Sequence, residues 1–239
     1  MVRPEQWSER AVAAVTFDLD FTLWDLSGVI ERAEAATQEY LSANFPRLTE
    51  RFPVEALRDM RMALATERPD LAHDVTRLRK ETMRRAGEAA GYRGGELERL
   101  VEESFAVMLA HRHDVVLYPD TERTLDALHG RVKLGAITNG NAEIRRMDLG
   151  RYFDFAVSAM DVGAAKPSHL VFDTACRRGG VVPGEVVHVG DDVYSDVYGA
   201  ATNGLRAVWL NRTGEPWPKD VEPVPHVEIT SLDELLQHV

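Results

Sequence analysis

Short apolar runs recur along this chain at residues 13–17, 132–137, 155–157, 186–189 and 205–210, and the later ones alternate with helix-like segments near 141–148, 168–178 and 194–203. Alternation of this kind constrains the fold strongly. It predicts an α/β, Rossmann-like doubly wound and mostly parallel sheet with helices on both faces. Such sheets carry their reactive loops beyond the C-terminal strand ends. Polar clusters fall there: Asp18 ends one run, Thr138 another and Asp191 a third.

Between about residues 27 and 113 the rhythm changes to Glu, Arg, Ala and Leu at helical spacing. Breaks at Pro46, Pro53, Pro69 and Gly94-Gly95 predict helices over 28–44, 54–66, 70–90 and 95–111. The expectation is a core of residues 1–26 and 114–239 with an inserted helical cap, 27–113. Ser231-Leu232-Asp233-Glu234 fits a capping box that opens a short last helix. Residues 214–225, with four prolines, read as loop.

Lysine and arginine number 28 against 39 aspartates and glutamates, a formal charge of −11. That field disfavours nucleic acid and anionic membrane surfaces as partners. The single cysteine, Cys176, excludes an internal disulfide and any zinc site built on several thiolates. No run approaches the roughly 18 apolar residues of a membrane span, and residues 1–14 lack a secretory pattern. The expectation is a cytoplasmic enzyme, monomer or homodimer, acting on a small molecule.

Four clusters carry the chemistry. In the first, Asp18 and Asp20 flank Leu19 directly after the first run. Two carboxyls at a strand end can reach one site, one attacking phosphorus and the other moving protons; a solvated acidic turn is the bland alternative. The second, Thr138-Asn139-Gly140-Asn141, offers a hydroxyl and backbone amides where a strand is expected to meet a helix. That is a phosphate cradle or simply a helix cap. The third is Lys166-Pro167, a lysine able to pair with a phosphoryl oxygen, or an ordinary surface lysine. The fourth places Asp191, Asp192 and Asp196 after the run 186–189. With Asp18 and Asp20 this predicts five carboxylates around one crevice, a set that repels itself unless a hard cation offsets it.

Taken in this order, the clusters resemble the haloacid dehalogenase-like hydrolase superfamily, whose signature is Asp-x-Asp-x-Thr, then Ser/Thr, then Lys, then a Gly-Asp-rich loop. The helical insertion is similar to that superfamily's C1 cap. The resemblance implies Asp18 as nucleophile, Asp20 as general acid and base, and Thr138 and Lys166 as holders of the phosphoryl group. It further implies Mg²⁺ on Asp18, the main-chain carbonyl of Asp20, and Asp191, with Asp192 and Asp196 in support. Branches that cut carbon–halogen bonds typically lack the second aspartate, so Asp20 favours a phosphatase.

The runs 17–23, 73–77, 137–142 and 188–192 also resemble the YigB-type phosphatases, which act on flavin mononucleotide and on the phosphorylated ribitylaminouracil intermediate of riboflavin synthesis. That likeness makes Thr22, Trp24, Asn139, His73 and Arg77 candidate substrate contacts. His73 and Arg77, four apart, would share a face of a helix. Trp24 would stack on a flat ring or be buried packing. The alternatives are a phosphatase of another sugar phosphate or nucleotide, a phosphomutase, a receiver-like module that keeps its phosphate, and an inert binding protein. The position of Asp18 on the first strand rather than a middle one weighs against a receiver.

Overall fold

The computed structural model describes residues 10–239; the reading made on residues 1–9 lies outside them. Strand β1 (Ala14–Phe17) is buried at every position, as expected of a strand covered on both faces. It leads into the loop 18–23 and a two-residue strand β2 (Trp24–Asp25). Five helices follow: α1 (Val29–Asn44), α2 (Pro46–Arg51), α3 (Val54–Glu67), α4 (Val75–Ala89) and α5 (Gly94–Arg112). Strand β3 (Val116–Leu117) returns antiparallel to β2, and α6 (Thr121–Leu128) leads to β4 (Lys133–Thr138). Then come β5 (Phe155–Ser158), α7 (Ala159–Val162), α8 (His169–Gly179) and β6 (Val186–Gly190). A π-helical turn (Val193–Tyr198) runs into α9 (Gly199–Thr202), followed by β7 (Arg206–Leu210) and β8 (His226–Ile229).

The sheet order is β5-β4-β1-β6-β7-β8, and each neighbouring pair is parallel. This is the α/β, doubly wound architecture that the alternating runs predict. Because β1 lies between β4 and β6, their C-terminal ends bring residues 18, 138 and 190 to one edge: Phe17 pairs with Ala136 and Val189. Ile137, Phe155, Val171, Phe172, Val186 and Trp209 form part of the core beneath.

The chain divides into two compact units, Met1–Asp25 with Val116–Val239, and Leu26–Val115. The helical unit has its own core, including Leu41, Phe45, Leu57, Tyr92 and Leu100, with Phe45 edge-on to Tyr92 at 5.5 Å. Its α4 starts later than the spacing suggests. Asp74 caps it by accepting the Arg77 backbone N–H at 2.8 Å, and Pro69–Leu71 form a separate 3₁₀ turn. His73 therefore lies before the helix, and the shared face expected of His73 and Arg77 does not exist.

Other readings need correcting. No α-helix lies between β4 and β5; residues 141–148 contain only the short 3₁₀ turn Ile144–Arg146 and the start of another. The segment opens with Asn139, Gly140 and Asn141, three poor helix formers, and carries no apolar helical periodicity. The helix expected over 194–203 is helical but divided, a π-helical turn to Tyr198 and then α9, and the last helix is a 3₁₀ turn (Leu232–Gln237) carrying the capping box. Helix α6 and strand β8 are additions that the apolar runs do not announce. Among the described residues no helix is long and apolar enough to cross a membrane.

Candidate active site

Asp18 is the first residue past β1, its backbone N–H donating to Val189 on β6 at 2.8 Å. Its side chain is 11 % exposed. A buried carboxylate needs a partner, and Lys166 supplies one. The Lys166 Nζ donates to Asp18 Oδ1 at 2.5 Å, Asp196 Oδ1 at 2.5 Å and the Ile137 carbonyl at 3.0 Å, which uses all three ammonium protons. The loop carrying this lysine is fixed by Asn139. Its Nδ2 donates to the Lys166 carbonyl at 3.1 Å, and its Oδ1 accepts the Lys166 backbone N–H at 2.7 Å. The Lys166-Pro167 peptide is cis. Asn139 thus holds the lysine loop through both ends of its side-chain amide.

Asp18, Asp191 and Asp196 present carboxylate oxygens within 4.8 Å of one another. Glycine at 190 permits this, because a Cβ there would collide with the Asp196 carboxyl. Thr22 Oγ1 donates to Asp191 Oδ1 at 3.2 Å, and Trp209 Nε1 to the Asp191 carbonyl at 3.0 Å. Thr22 is fully buried, so it orients Asp191 and offers nothing to a substrate.

The other two carboxyls stand apart. Trp24 Nε1 donates to Asp20 Oδ1 at 2.8 Å. Asp192 is exposed and caps the following turn by accepting the Ser195 N–H at 2.6 Å. Of the five aspartates, Asp18, Asp191 and Asp196 bring carboxylate oxygens within 4.8 Å of one another, while Asp20 and Asp192 are held by Trp24 and the Ser195 N–H. The stacking role weighed for Trp24 is corrected too: its ring has no exposed surface. The aromatic ring this loop does present is Phe21, 41 % exposed, on a backbone with φ 59°. Thr138 is buried at the end of β4, where its Oγ1 accepts the Gly140 N–H at 2.9 Å. That local turn stands in place of the helix N-terminus foreseen there.

His188 was not singled out as a site residue. It lies on β6, 1 % exposed, with Nδ1 2.9 Å from Thr16 Oγ1 and Nε2 3.1 Å from Asp196 Oδ1. Burial outweighs the Asp196 contact and lowers its pKa. A neutral ring donating from Nε2 to Asp196 and accepting from Thr16 satisfies both contacts. No spacing rule could have found it, since it sits in an apolar strand.

The charges do not balance. Burial would raise Asp196, but Lys166 and His188 bring it down to about 2. Burial alone would lower Lys166, and Asp18 with Asp196 more than reverse that. Asp18 is pushed well above the usual carboxylate range by burial, with Lys166 opposing and Asp196 and Asp191 adding. Asp191 is pushed up to about 7 by burial and by Asp196. One lysine cannot neutralise three carboxylates, two buried and one half-buried, and a hard divalent cation with oxygen ligands suits the remaining charge. The donor set fits Mg²⁺.

His73, partly buried, and Arg77, exposed, belong to the helical unit, in the turn before α4 and in its first turn.

A parallel sheet with an aspartate past its first strand, a buried lysine and an aspartate pair past a later strand defines a class. The chain belongs to the haloacid dehalogenase-like hydrolase family, whose model matches residues 12–204, and it is an enzyme. Among curated proteins it is similar to the Escherichia coli 5-amino-6-(5-phospho-D-ribitylamino)uracil phosphatase YigB, 34% identical over 228 residues that cover 94% of each chain. Human N-acylneuraminate-9-phosphatase is 30% identical over 234 residues, covering 94% of this chain and 92% of that one. Among solved structures, the 2-haloacid dehalogenase from Pseudomonas syringae pv. Tomato is 42% identical with a TM-score of 0.89, covering 95% of this chain and 97% of that one.

Proposed function

We propose that the chain is a Mg²⁺-dependent phosphomonoester hydrolase that works through an aspartyl-phosphate on Asp18. The carrying observation is the Lys166 ammonium, bonded at 2.5 Å to both Asp18 and Asp196 inside a buried acidic cluster. Lys166 keeps the attacking carboxylate oriented and offsets charge on the phosphoryl oxygens. Asp18 attacks phosphorus, and the ester P–O bond breaks as Asp20 gives its proton to the leaving oxygen. Asp20 then takes a proton from water, which attacks phosphorus, releases phosphate and restores the Asp18 carboxylate. Trp24 holds Asp20 for both transfers. Thr138 receives a phosphoryl oxygen. Asp18, Asp191 and the Asp20 main-chain carbonyl would hold Mg²⁺, with Asp196 and Asp192 in support. The bound cation supplies charge neutralisation and alignment of the phosphoryl group.

The substrate proposed is flavin mononucleotide or a ribityl phosphate of riboflavin biosynthesis, handled in the cytoplasm. Its support is the likeness to YigB over nearly the whole chain. The helical unit, Leu26–Val115, is proposed as a cap that recognises the leaving group, with His73 and Arg77 as contacts and Phe21 as the loop's aromatic surface. Initial rates on flavin mononucleotide, sugar phosphates and nucleotides, with Mg²⁺ and with chelator, test this. Preference for small sugar phosphates would remove the riboflavin assignment and leave the phosphatase.

Dehalogenation is the second reading, favoured by the likeness to the Pseudomonas enzyme. Asp20, held by its own hydrogen bond to Trp24, argues against it, because ester attack on a halogenated carbon expels halide without needing an acid. Halide release from 2-chloropropionate at a rate matching the best phosphate ester would favour it.

A further inference from the structure

Arg212 lies two residues past β7 and is held on three sides. Its Nη1 donates to Asp120 Oδ2 at 2.9 Å and its Nη2 to Asp120 Oδ1 at 2.9 Å, and its guanidinium lies over the Tyr118 ring, 4.0 Å from the centroid. The second proton of Nη2 goes to the Thr22 carbonyl at 3.2 Å. The side chains of Arg212 and Asp120 are 19 and 6 % exposed, so this fork is set largely out of water. Nε is buried without a hydrogen-bond partner. A buried donor left unpaired is costly, and here it accompanies a pose in which the two Nη groups reach both Asp120 and Thr22.

The Thr22 carbonyl and the Leu23 N–H belong to one peptide plane. Arg212 holds the first, and the Leu19 carbonyl accepts the second at 2.9 Å. Of these two anchors, only Arg212 comes from outside the loop 18–23. The next carbonyl, that of Leu23, accepts Thr121 Oγ1 at 2.6 Å and the Tyr118 N–H at 3.2 Å. The plane fixed in this way sets where the buried Thr22 side chain points, and its Oγ1 donates to Asp191 Oδ1 at 3.2 Å. The geometry points to Arg212 as a positioning residue for the cation site: through the Thr22 peptide it aims the hydroxyl that fixes the Asp191 carboxylate. Removing a group that orients a metal ligand typically weakens the metal by about 10–100-fold. The inference rests on the reading of Asp191 as a Mg²⁺ ligand; neither attack by Asp18 nor proton transfer by Asp20 enters it.

Isothermal titration of the full chain with Mg²⁺, without substrate, tests it in a double-mutant cycle. Thr22→Val removes the hydroxyl at nearly constant shape. Arg212→Lys keeps a charge beside Asp120, but its shorter side chain lacks the fork that serves Asp120 and Thr22 together. Each variant should weaken Mg²⁺ by about tenfold. The double variant should bind about as well as the weaker single one, because both changes break the same path. Losses that add in full would overturn the proposal. So would a lowered thermal midpoint in Arg212→Lys with Mg²⁺ affinity unchanged, the result expected of a residue that only stabilises the fold. Should Arg212→Lys fail to fold by circular dichroism, Arg212→Gln, which has donors and no charge to bury, takes its place in the cycle. Failure of both to fold would make Arg212 a structural residue and overturn the proposal as well. A wild-type chain that binds no Mg²⁺ would remove the metal reading and this one together; wild-type binding unmoved by the Arg212 variants would remove only this one.

Discussion

Trp24 Nε1 lies 2.8 Å from Asp20 Oδ1, and the indole that makes this bond is wholly buried. One side chain thereby fixes the carboxyl proposed to transfer protons and leaves Asp18 to Lys166. Trp24→Phe keeps most of the packing and removes the donor. It should lower kcat on an alkyl phosphate by about tenfold, the worth of a hydrogen bond to a charged group. Hydrolysis of 4-nitrophenyl phosphate, whose leaving group needs little protonation, should fall less. Asp20→Asn should show the same asymmetry at about 10²–10⁴-fold. Equal losses on both esters would make Trp24 a packing residue only.

Phe21 sits in the left-handed region at φ 59°, uncommon for a bulky residue, while its ring is 41 % exposed. Little burial is lost on replacing it. Phe21→Asn should therefore raise stability by about 1 kcal/mol in urea unfolding, because asparagine tolerates this backbone. A lower unfolding midpoint would show that the ring packs more than its exposure suggests.

The sheet was legible because a strand buried on both faces must be nearly all apolar, as 186–189 is. The candidate site was legible because carboxylates clustered at strand ends are costly unless used, and the lysine before a helix added a matching charge. Side-chain partnership was not legible. Nothing in the spacing says that Thr22 turns to Asp191, that Asn139 clasps the Lys166 backbone, or that Trp24 points inward; those depend on packing between distant segments. The missing helix after β4 and the late start of α4 have local causes, the poor helix formers Asn139, Gly140 and Asn141 in one case and the Asp74 cap in the other.

His188 is a positioning residue by this geometry, reaching Asp18 only through Asp196 and Lys166. His188→Leu should lower kcat by about tenfold and cost about 1–3 kcal/mol, since it removes one of the buried donors to Asp196 and leaves that carboxylate to Lys166 and the Asp192 N–H. His188→Gln can still donate to Asp196 and should recover most of the rate. Two variants equally slow and equally unstable would reduce the histidine to core filling.

Asp120 is a node outside the acidic cluster. It accepts two bonds from Arg212 at 2.9 Å, one from Ser231 Oγ at 2.8 Å and one from the Leu232 N–H at 2.9 Å, while Arg212 also reaches the Thr22 carbonyl at 3.2 Å. Burial would raise its pKa, but Arg212, Ser231 and Leu232 hold it below the usual 3.8. A depressed carboxyl contributes stability above its unfolded pKa and loses it as pH falls through the folded one. Asp120→Asn should cost about 2–3 kcal/mol at neutral pH. The gap to wild type should hold down to about pH 4 and narrow below it. A gap constant into strong acid would mean that the charge contributes nothing.

The central claim is that phosphate passes through Asp18, and rapid acid quenching tests it most directly. Enzyme is mixed with Mg²⁺ and flavin mononucleotide radiolabelled on its phosphate, then stopped during the first turnover. The account predicts label bound to protein, released by hydroxylamine as an acyl phosphate is, mapping to the peptide that contains Asp18, and absent from Asp18→Asn. Phosphate release with no labelled protein at any time in the first turnover, or label that persists in Asp18→Asn, would contradict it.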